Sequence, residues 1–241
     1  MAAAAPEDPR TVLCFGDSNT FGAPGLVSQQ GGRLPYGCRW TTVLQRRLGS
    51  SVVVIPEGLN GRTTVLDDPD HRMNAGRADN AGAANGRRYL TPCLHSHRPV
   101  DLVVLGLGCN DLQARYGRSP AEIAEDCRQL VRDIRTSGCG PGGDAPMVVL
   151  VSPPLVRLSE LHPEFGPERE ARSAAAIEAY RLLAEEERLS GFVGLAGVPT
   201  SEDGLHFDEA GSLAIGDLVA EKVQAALGPD GPFTQEARTD A

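Results

Sequence analysis

Five short apolar runs, separated by stretches of helical periodicity, constrain the fold of this 241-residue chain more than any other feature. The runs are continuously apolar rather than alternating, which is typical of strands buried on both faces of a parallel sheet. Parallel strands need crossover connections, and the periodic stretches between the runs supply helices for them. The runs occupy residues 11–16, 51–58, 101–108, 145–154 and 192–198, and the main predicted helices occupy residues 38–49, 119–138, 166–191 and 207–228. The pattern predicts an α/β fold with a five-stranded parallel sheet.

The predicted elements fit one domain with two tails. Helices on both faces of such a sheet define a three-layer α/β/α, flavodoxin-like arrangement, and no internal repeat or linker separates a second core. We expect a single domain over residues 11–227, with flexible tails at residues 1–10 and 228–241. The stretch 67–99 is rich in Asp, Asn, Gly and Arg and is expected to be a long loop.

Charge and composition exclude several classes of protein. The formal net charge of −9 argues against nucleic acid or an anionic membrane surface as a partner. No apolar stretch approaches the roughly 18 residues of a membrane span, and the first residues lack the basic and apolar parts of a secretory signal. The six cysteines are dispersed without a C-x-x-C pair, which favours free thiols over a zinc site. We therefore expect a cytoplasmic protein.

Polar segments stand where three of the predicted strands end. GDSNTFG follows the first strand, EGLNGRTT ends the second, and GLGCND ends the third. Because ligands of open parallel sheets bind outside the carboxyl ends of the strands, Ser18, Gly61 and Asn110 are expected to meet at one edge. Taken alone, the first segment can also be a simple turn with capping side chains.

A fourth segment, SEDGLHFDEAG, precedes the last predicted helix and places Asp203 three residues before His206. At this spacing a carboxylate can hold one imidazole nitrogen while the other faces a serine hydroxyl. The combination predicts acyl transfer, with Ser18 as nucleophile, His206 as general base and then acid, and Asp203 as its orienting partner. The backbone N–H groups of Ser18 and Gly61, with the Asn110 side chain, form the predicted oxyanion hole.

The four segments resemble the blocks of the GDSL/SGNH hydrolases, and the resemblance extends from about residue 11 to about residue 226. The surrounding stretches LCFGDS, RWTTVL, EGLNGRTTVLDDP and VLVSPP are similar to bacterial arylesterases of the acyltransferase and perhydrolase type. This resemblance implies a small acyl-ester substrate, namely short-chain esters such as acetates, hydrolysed through an acyl-enzyme on Ser18. It also implies that some members transfer the acyl group to alcohols or peroxide. It also implies chemistry without a metal or an organic cofactor.

Two positions depart from the family pattern, since Asn19 replaces the usual leucine after the serine and Cys109 replaces a threonine of the third block. The segment 70–88 looks longer than in those arylesterases, where this region shapes the substrate channel and the subunit contacts. The sequence therefore leaves open whether the protein forms a homo-oligomer. The residues expected to line the substrate pocket beside the catalytic groups are Asp17, Asn19, Trp40, Asn60, Arg62, Cys109, His162 and Leu205.

Three alternatives accompany this interpretation. A second D-x-x-H, Asp68 to His71, lies in a proline-containing loop, which we expect to be solvated rather than catalytic. The same catalytic groups would serve an O- or N-deacetylase of a sugar or a biosynthetic intermediate. A non-catalytic flavodoxin-like binding module is the alternative from another class, although G-x-x-x-x-G-K-[ST] is absent and GLGCND breaks the dinucleotide glycine pattern.

Overall fold

The computed structural model describes residues 8–25, 32–69 and 82–228. Five strands form one sheet in the order β2-β1-β3-β4-β5, and every neighbouring pair is parallel. The strands are β1 Arg10–Gly16, β2 Val52–Gly58, β3 Leu102–Gly106, β4 Met147–Pro154 and β5 Gly191–Leu195. Each of the five predicted apolar runs forms one strand, so the predicted five-stranded parallel sheet is confirmed.

Helices cover both faces of this sheet. They are α1 Ser18–Phe21, α2 Trp40–Leu48, α3 Gly86–His97, α4 Pro120–Thr136, α5 Arg169–Glu186 and α6 Glu209–Leu227. Apolar side chains of α2 and α6 form one core with the sheet, and those of α3, α4 and α5 form the other. The predicted three-layer α/β/α architecture is therefore confirmed.

The central strand β1 shows why its sequence is continuously apolar. Val12 and Cys14 pack into the core beneath α2 and α6, whereas Leu13 and Phe15 pack into the core beneath α3, α4 and α5. All four side chains are inaccessible to solvent. Full burial of an aliphatic or aromatic side chain of this kind stabilises the fold by roughly 1.5–3 kcal/mol, so both faces of the strand must be apolar.

Helix α3 corrects the expectation of a long loop over residues 67–99. The Asn85 side chain caps the helix by accepting a hydrogen bond from the Arg88 N–H at 3.2 Å. Leu90 and Leu94 are fully buried against the sheet. Pro92 lies inside the helix, and the surrounding composition is polar, so the local sequence does not indicate a helix here. Tertiary packing stabilises the helix instead. Residues 70–81 lie outside the described part of the chain.

The caps of two other helices set their starting points. Helix α4 begins with a capping box: the Glu122 N–H donates to Ser119 Oγ at 3.3 Å, and the Ser119 N–H donates to the Glu122 carboxylate at 2.8 Å. Asp208 accepts from the Gly211 N–H at 2.8 Å and starts α6. Because α6 begins just after the D-x-x-H segment, this cap anchors that segment at the sheet edge.

The two predicted tails lie almost entirely in residues 1–7 and 229–241, outside the described ranges, so their flexibility stays a prediction. The described elements begin with Arg10 in β1 and end with Leu227 in α6. None of the helices in those ranges combines the length and apolarity that crossing a membrane requires.

Candidate active site

The chain turns sharply from β1 into α1 and places Ser18 at the carboxyl edge of the sheet. Asp17 stabilises this turn because its Oδ1 accepts from the Asn19 N–H at 3.0 Å. A Cβ at Gly16 would collide with the side chain of Thr20, so the turn needs glycine just before it. The tight geometry presents the Ser18 side chain to a cavity while leaving it largely buried.

The D-x-x-H segment meets this serine. Nε2 of His206 lies 2.9 Å from Oγ of Ser18, and Nδ1 of His206 lies 2.7 Å from Oδ2 of Asp203. The other oxygen, Oδ1 of Asp203, accepts from the N–H groups of Leu205 and His206 and from the Ser201 hydroxyl, each at 2.9 Å. The turn therefore holds the Asp203 carboxylate in place. The Ser18 hydroxyl contacts the His206 imidazole, which in turn contacts that carboxylate.

The charge of Asp203 follows from these contacts. Burial opposes ionisation of this side chain, but hydrogen bonds from His162 and His206 outweigh it and hold the pKa of Asp203 well below its usual range. A carboxylate at this position favours the imidazole tautomer with its proton on Nδ1. Nε2 of His206 is then free to accept the proton of Ser18.

Three hydrogen-bond donors border the cavity beside the Ser18 hydroxyl: the Asn110 side-chain amide and the backbone N–H groups of Gly61 and Ser18. Asn110 begins a short 3-10 helix after β3, and its Nδ2 donates to the Arg62 carbonyl at 3.0 Å, which leaves its second amide hydrogen available. Gly61 has φ +77°, a left-handed conformation that favours glycine. Within the described residues, the backbone N–H groups of Ser18 and Gly61 donate no hydrogen bond. These donors can therefore serve a charged oxygen of a bound substrate.

Buried polar groups fix the loops that carry these donors. The Asp111 carboxylate accepts from the Thr64 N–H at 3.0 and 3.1 Å and from the Thr64 hydroxyl, which ties the second block to the third. Desolvation outweighs these bonds and raises the pKa of Asp111 to about 6. Arg62 donates to the Gly16 carbonyl at 2.9 Å, and its guanidinium lies 4.3 Å from the centroid of the Phe15 ring. Arg62 thus joins the second block to the end of β1.

A cavity of about 320 Å³ opens over Ser18. Its walls are formed by Ser18, Ala23, Asn60, Gly61, Asp68, Asn110, Gln113, Arg115, His162, Glu164, Phe165, Leu205 and His206. Among the predicted pocket residues, Asn60, His162 and Leu205 line it. Two polar contacts shape one side of it: the Arg115–Asp68 ion pair, at 2.9 and 3.2 Å, and the contact of His162 Nδ1 with Glu164 Oε1 at 2.9 Å.

Six wall residues were not anticipated: Ala23, Asp68, Gln113, Arg115, Glu164 and Phe165. Several lie in or beside the short 3-10 turns Ala114–Tyr116 and Pro163–Phe165, which follow β3 and β4. Such turns carry no periodic signal in the sequence. Their position after strands that end at the site edge is the one clue that could have identified them.

The structure places the other five predicted pocket residues elsewhere. Asp17, Asn19 and Trp40 border a separate narrow cleft of about 30 Å³. Arg62 belongs to the buried scaffold, and Cys109 packs in the core, where burial raises the pKa of its thiol well above the usual range. None of these five side chains lines the cavity over Ser18, and their contact with substrate stays a prediction.

The second D-x-x-H is only partly described, since Asp70 and His71 lie outside the described residues. Its Asp68 forms the ion pair with Arg115 on the cavity wall, so this part of the predicted solvated loop is buried.

Two groups of side chains among the described residues have the spacing of metal ligands, with ligand atoms within 4.8 Å of one another. One is Glu57, Cys93 and His97, where Glu57 and His97 already pair at 2.9 Å and burial raises the pKa of Cys93 to about 12. The other consists of His162, Asp203 and His206, whose polar atoms contact one another and Ser18. In the first group the Glu57–His97 contact engages two of the three ligand atoms, and in the second group contacts within the site engage all three.

A hydroxyl, an imidazole and a carboxylate in contact at the carboxyl edge of a parallel α/β sheet are the arrangement of the serine hydrolases, a class that acts by acyl transfer. The sequence matches the GDSL-like lipase/acylhydrolase family over residues 14–214, and the chain belongs to that family. Membership favours an enzyme over a non-catalytic binding module.

Solved structures agree with this assignment. Est24, a carbohydrate acetylesterase from Sinorhizobium meliloti, is 35% identical with a TM-score of 0.77, and the match covers 91% of this chain and 100% of that chain. The aryl esterase of M. smegmatis is 35% identical with a TM-score of 0.76, and the match covers 89% of this chain and 98% of that chain. No curated protein sequence matches significantly.

Proposed function

We propose that the protein hydrolyses short-chain carboxylic esters, acetates in particular, through an acyl-enzyme on Ser18. The observation that carries this proposal is the 2.9 Å contact between Oγ of Ser18 and Nε2 of His206, with Asp203 at 2.7 Å from Nδ1. Nε2 of His206 takes the hydroxyl proton while Oγ attacks the carbonyl carbon of the ester. Asp203 stabilises the imidazolium that forms.

The carbonyl oxygen becomes an oxyanion in the tetrahedral intermediate. It binds the N–H groups of Ser18 and Gly61 and the side-chain amide of Asn110, and each such donor contributes roughly 3 kcal/mol to transition-state stabilisation. His206 then gives its proton to the departing alcohol. Water, deprotonated by His206, attacks the acyl-enzyme, which releases the carboxylic acid and restores Ser18.

The cavity supports a small acyl group. Its volume of about 320 Å³ lies near the lower end of the roughly 300–1,000 Å³ usual for ligand pockets. Ala23, Phe165 and Leu205 supply apolar surface near the serine. A long acyl chain would need more apolar wall than these three side chains provide.

A second candidate is the removal of acetyl groups from a sugar or a related polar compound. The observation that favours it is the polar part of the cavity, where the Arg115–Asp68 pair stands beside Gln113 and Glu164. Charged and amide groups of this kind suit the hydroxyls of a polar alcohol better than an aromatic ring. The Est24 structure, a carbohydrate acetylesterase, agrees with this candidate.

Replacement of the nucleophile tests the main proposal. Ser18→Ala should abolish hydrolysis of p-nitrophenyl acetate, because no other group would carry the acyl chain. Wild type should gain the mass of one acetyl group in rapid-quench mass spectrometry, and the variant should not. Ser50→Ala, at an exposed serine, is the matched control and should behave as wild type. Retained activity in Ser18→Ala would refute the proposal.

Replacement of the amide donor tests the oxyanion hole. Asn110→Ala should lower kcat by about 10²–10³-fold, the usual cost of losing one such donor, with a much smaller change in KM. Circular dichroism must show that the fold survives loss of the bond to the Arg62 carbonyl. A decrease in kcat of less than about threefold would remove Asn110 from the hole.

A panel of esters separates the two candidates and tests acyl transfer. Rates on acyl groups of rising length, on aryl acetates and on acetylated sugars are compared at equal enzyme concentration. A preference for sugar acetates over aryl acetates favours the deacetylase. Ester products formed when an alcohol is added show transfer from the acyl-enzyme to that alcohol.

A further inference from the structure

A second histidine, His162, faces the proposed site between two carboxylates. Its Nδ1 lies 2.9 Å from Oε1 of Glu164, and its Nε2 lies 3.4 Å from Oδ2 of Asp203. A neutral imidazole carries one N–H and can donate to only one of these oxygens. Both contacts are hydrogen bonds only when both nitrogens are protonated, so the geometry fits an imidazolium.

The position of His162 is built into the fold. Arg169, which is itself buried, donates to the His162 carbonyl at 2.8 Å and to the Ser159 carbonyl at 2.7 Å. The ring of Phe165 meets the His162 ring edge to face, with centroids 6.2 Å apart. These contacts fix the backbone and the ring of His162, while the Glu164 side chain that it meets is exposed.

His162 and His206 share one acceptor. Both rings contact Oδ2 of Asp203, at 3.4 and 2.7 Å, and their centroids lie 5.8 Å apart. The shared carboxylate bridges the two imidazoles. A proton on His162 therefore places a positive charge next to the ring that must accept the serine proton.

The charged groups around His162 favour its cationic form. Asp203 and His206 face the His162 ring from the turn before α6. Glu164 faces it from the 3-10 turn that follows His162. Arg169 of α5 donates to the His162 carbonyl. The Arg115–Asp68 pair lies elsewhere on the cavity wall and is internally neutral. The hydrogen bond to Asp203 raises the pKa of His162 above its usual value, burial opposes this, and Glu164 adds to the increase.

We propose that His162 is a positioning residue of the site: as an imidazolium between Glu164 and Asp203, it holds the Asp203 carboxylate against His206 and makes protonation of His206 more difficult. This inference rests on the proposed function, because it takes His206 as the base. The cation on His162 opposes a second positive charge on the neighbouring ring, which must accept the Ser18 proton.

Two variants separate the hydrogen bond from the charge. His162→Gln keeps an N–H that can reach Asp203 but carries no charge, and His162→Ala removes both. In profiles of kcat/KM against pH with p-nitrophenyl acetate, both variants should move the acidic limb to higher pH by about one unit, as expected for loss of a cation near 6 Å. His162→Ala should also lower kcat by about tenfold with little change in KM, and His162→Gln should restore most of it.

His95→Gln, at an exposed histidine of α3, is the matched control and should leave the pH profile unchanged. A wild-type profile and a wild-type kcat in His162→Ala would overturn the proposal.

A second measurement does not depend on activity. In Ser18→Ala labelled with ¹⁵N-histidine, nuclear magnetic resonance should show both His162 nitrogens protonated at neutral pH. Adding Glu164→Gln should lower the pH at which this ring loses its proton. A neutral His162 at neutral pH would overturn the inference. If wild type lacks esterase activity, the proposed function fails, and this spectrum still decides the state of His162.

Discussion

Two buried carboxyl groups flank the Ser18–His206 pair, and they differ in how well the protein supports them. Asp203, in the turn before α6, is 1% exposed and accepts from backbone, hydroxyl and two imidazole donors. Asp17, in the turn after β1, is 3% exposed and accepts from the Asn19 N–H. Burial raises the pKa of Asp17 to about 6, whereas the pKa of Asp203 lies well below its usual range.

The comparison shows that the pKa of a buried carboxyl group follows the balance between desolvation and the hydrogen bonds that the carboxylate accepts. Transfer of a carboxylate out of water is unfavourable at both positions, and only the Asp203 turn supplies enough hydrogen bonds to offset that cost. The Asp17 turn is poorer still in partners, because the buried amide oxygen and nitrogen of Asn19 have no hydrogen-bond partner within the described chain. The Asp203 turn therefore stabilises a carboxylate far more than the Asp17 turn does.

Asp203→Asn should produce the largest effect. The amide nitrogen would face Nδ1 of His206 as a donor, which forces the imidazole proton onto Nε2 and removes the base from Ser18. We expect kcat to fall by about 10³–10⁴-fold with the fold retained. Kinetics with p-nitrophenyl acetate and thermal unfolding measure both. Asp144→Asn, at an exposed aspartate, is the control; a loss smaller than tenfold would mean that the charge of Asp203 is not needed.

Asp17→Asn should affect stability more than activity. The folded-state pKa of Asp17 is raised, so the stability due to its protonated form is present below about pH 4 and is lost as the pH rises through about 6. The amide avoids this loss, and the variant should exceed wild type in unfolding free energy by about 1–3 kcal/mol at pH 7.5. The difference should vanish near pH 4. Denaturant unfolding at both pH values checks this, and equal pH dependence in the two proteins would contradict it.

Asn19→Leu should have the smallest effect and should be stabilising. A buried amide without partners costs about 1–3 kcal/mol, and leucine removes that cost. The neighbouring cleft is walled by apolar groups that include Trp40, Leu195 and Ile215, which suit a leucine. We expect a gain of about 1 kcal/mol, or roughly 2–4 °C in Tm for a chain of this size. Asn19→Asp should lower Tm instead, and a lower Tm for Asn19→Leu would show that the amide is satisfied in solution.

Much of the fold was predictable because it depends on local pattern. Continuous apolar runs such as Val12–Phe15 identify strands buried on both faces, and the Ser119–Glu122 pair marks the start of α4. Helix α3 was not predictable in the same way. Its polar composition and Pro92 hide a helix that forms because Leu90 and Leu94 pack against the sheet.

The same distinction between local sequence pattern and tertiary packing applies to the candidate active site. The sequence by itself determined which groups stand at the strand ends, and it placed Asp203 three residues from His206, because strand ends and tight turns follow from local spacing. Only the tertiary structure decided which side chains form the cavity wall, where His162 meets Asp203 across 41 positions of the chain, and how differently two buried carboxyl groups ionise. These properties depend on distances between segments far apart in the sequence, and packing alone sets those distances.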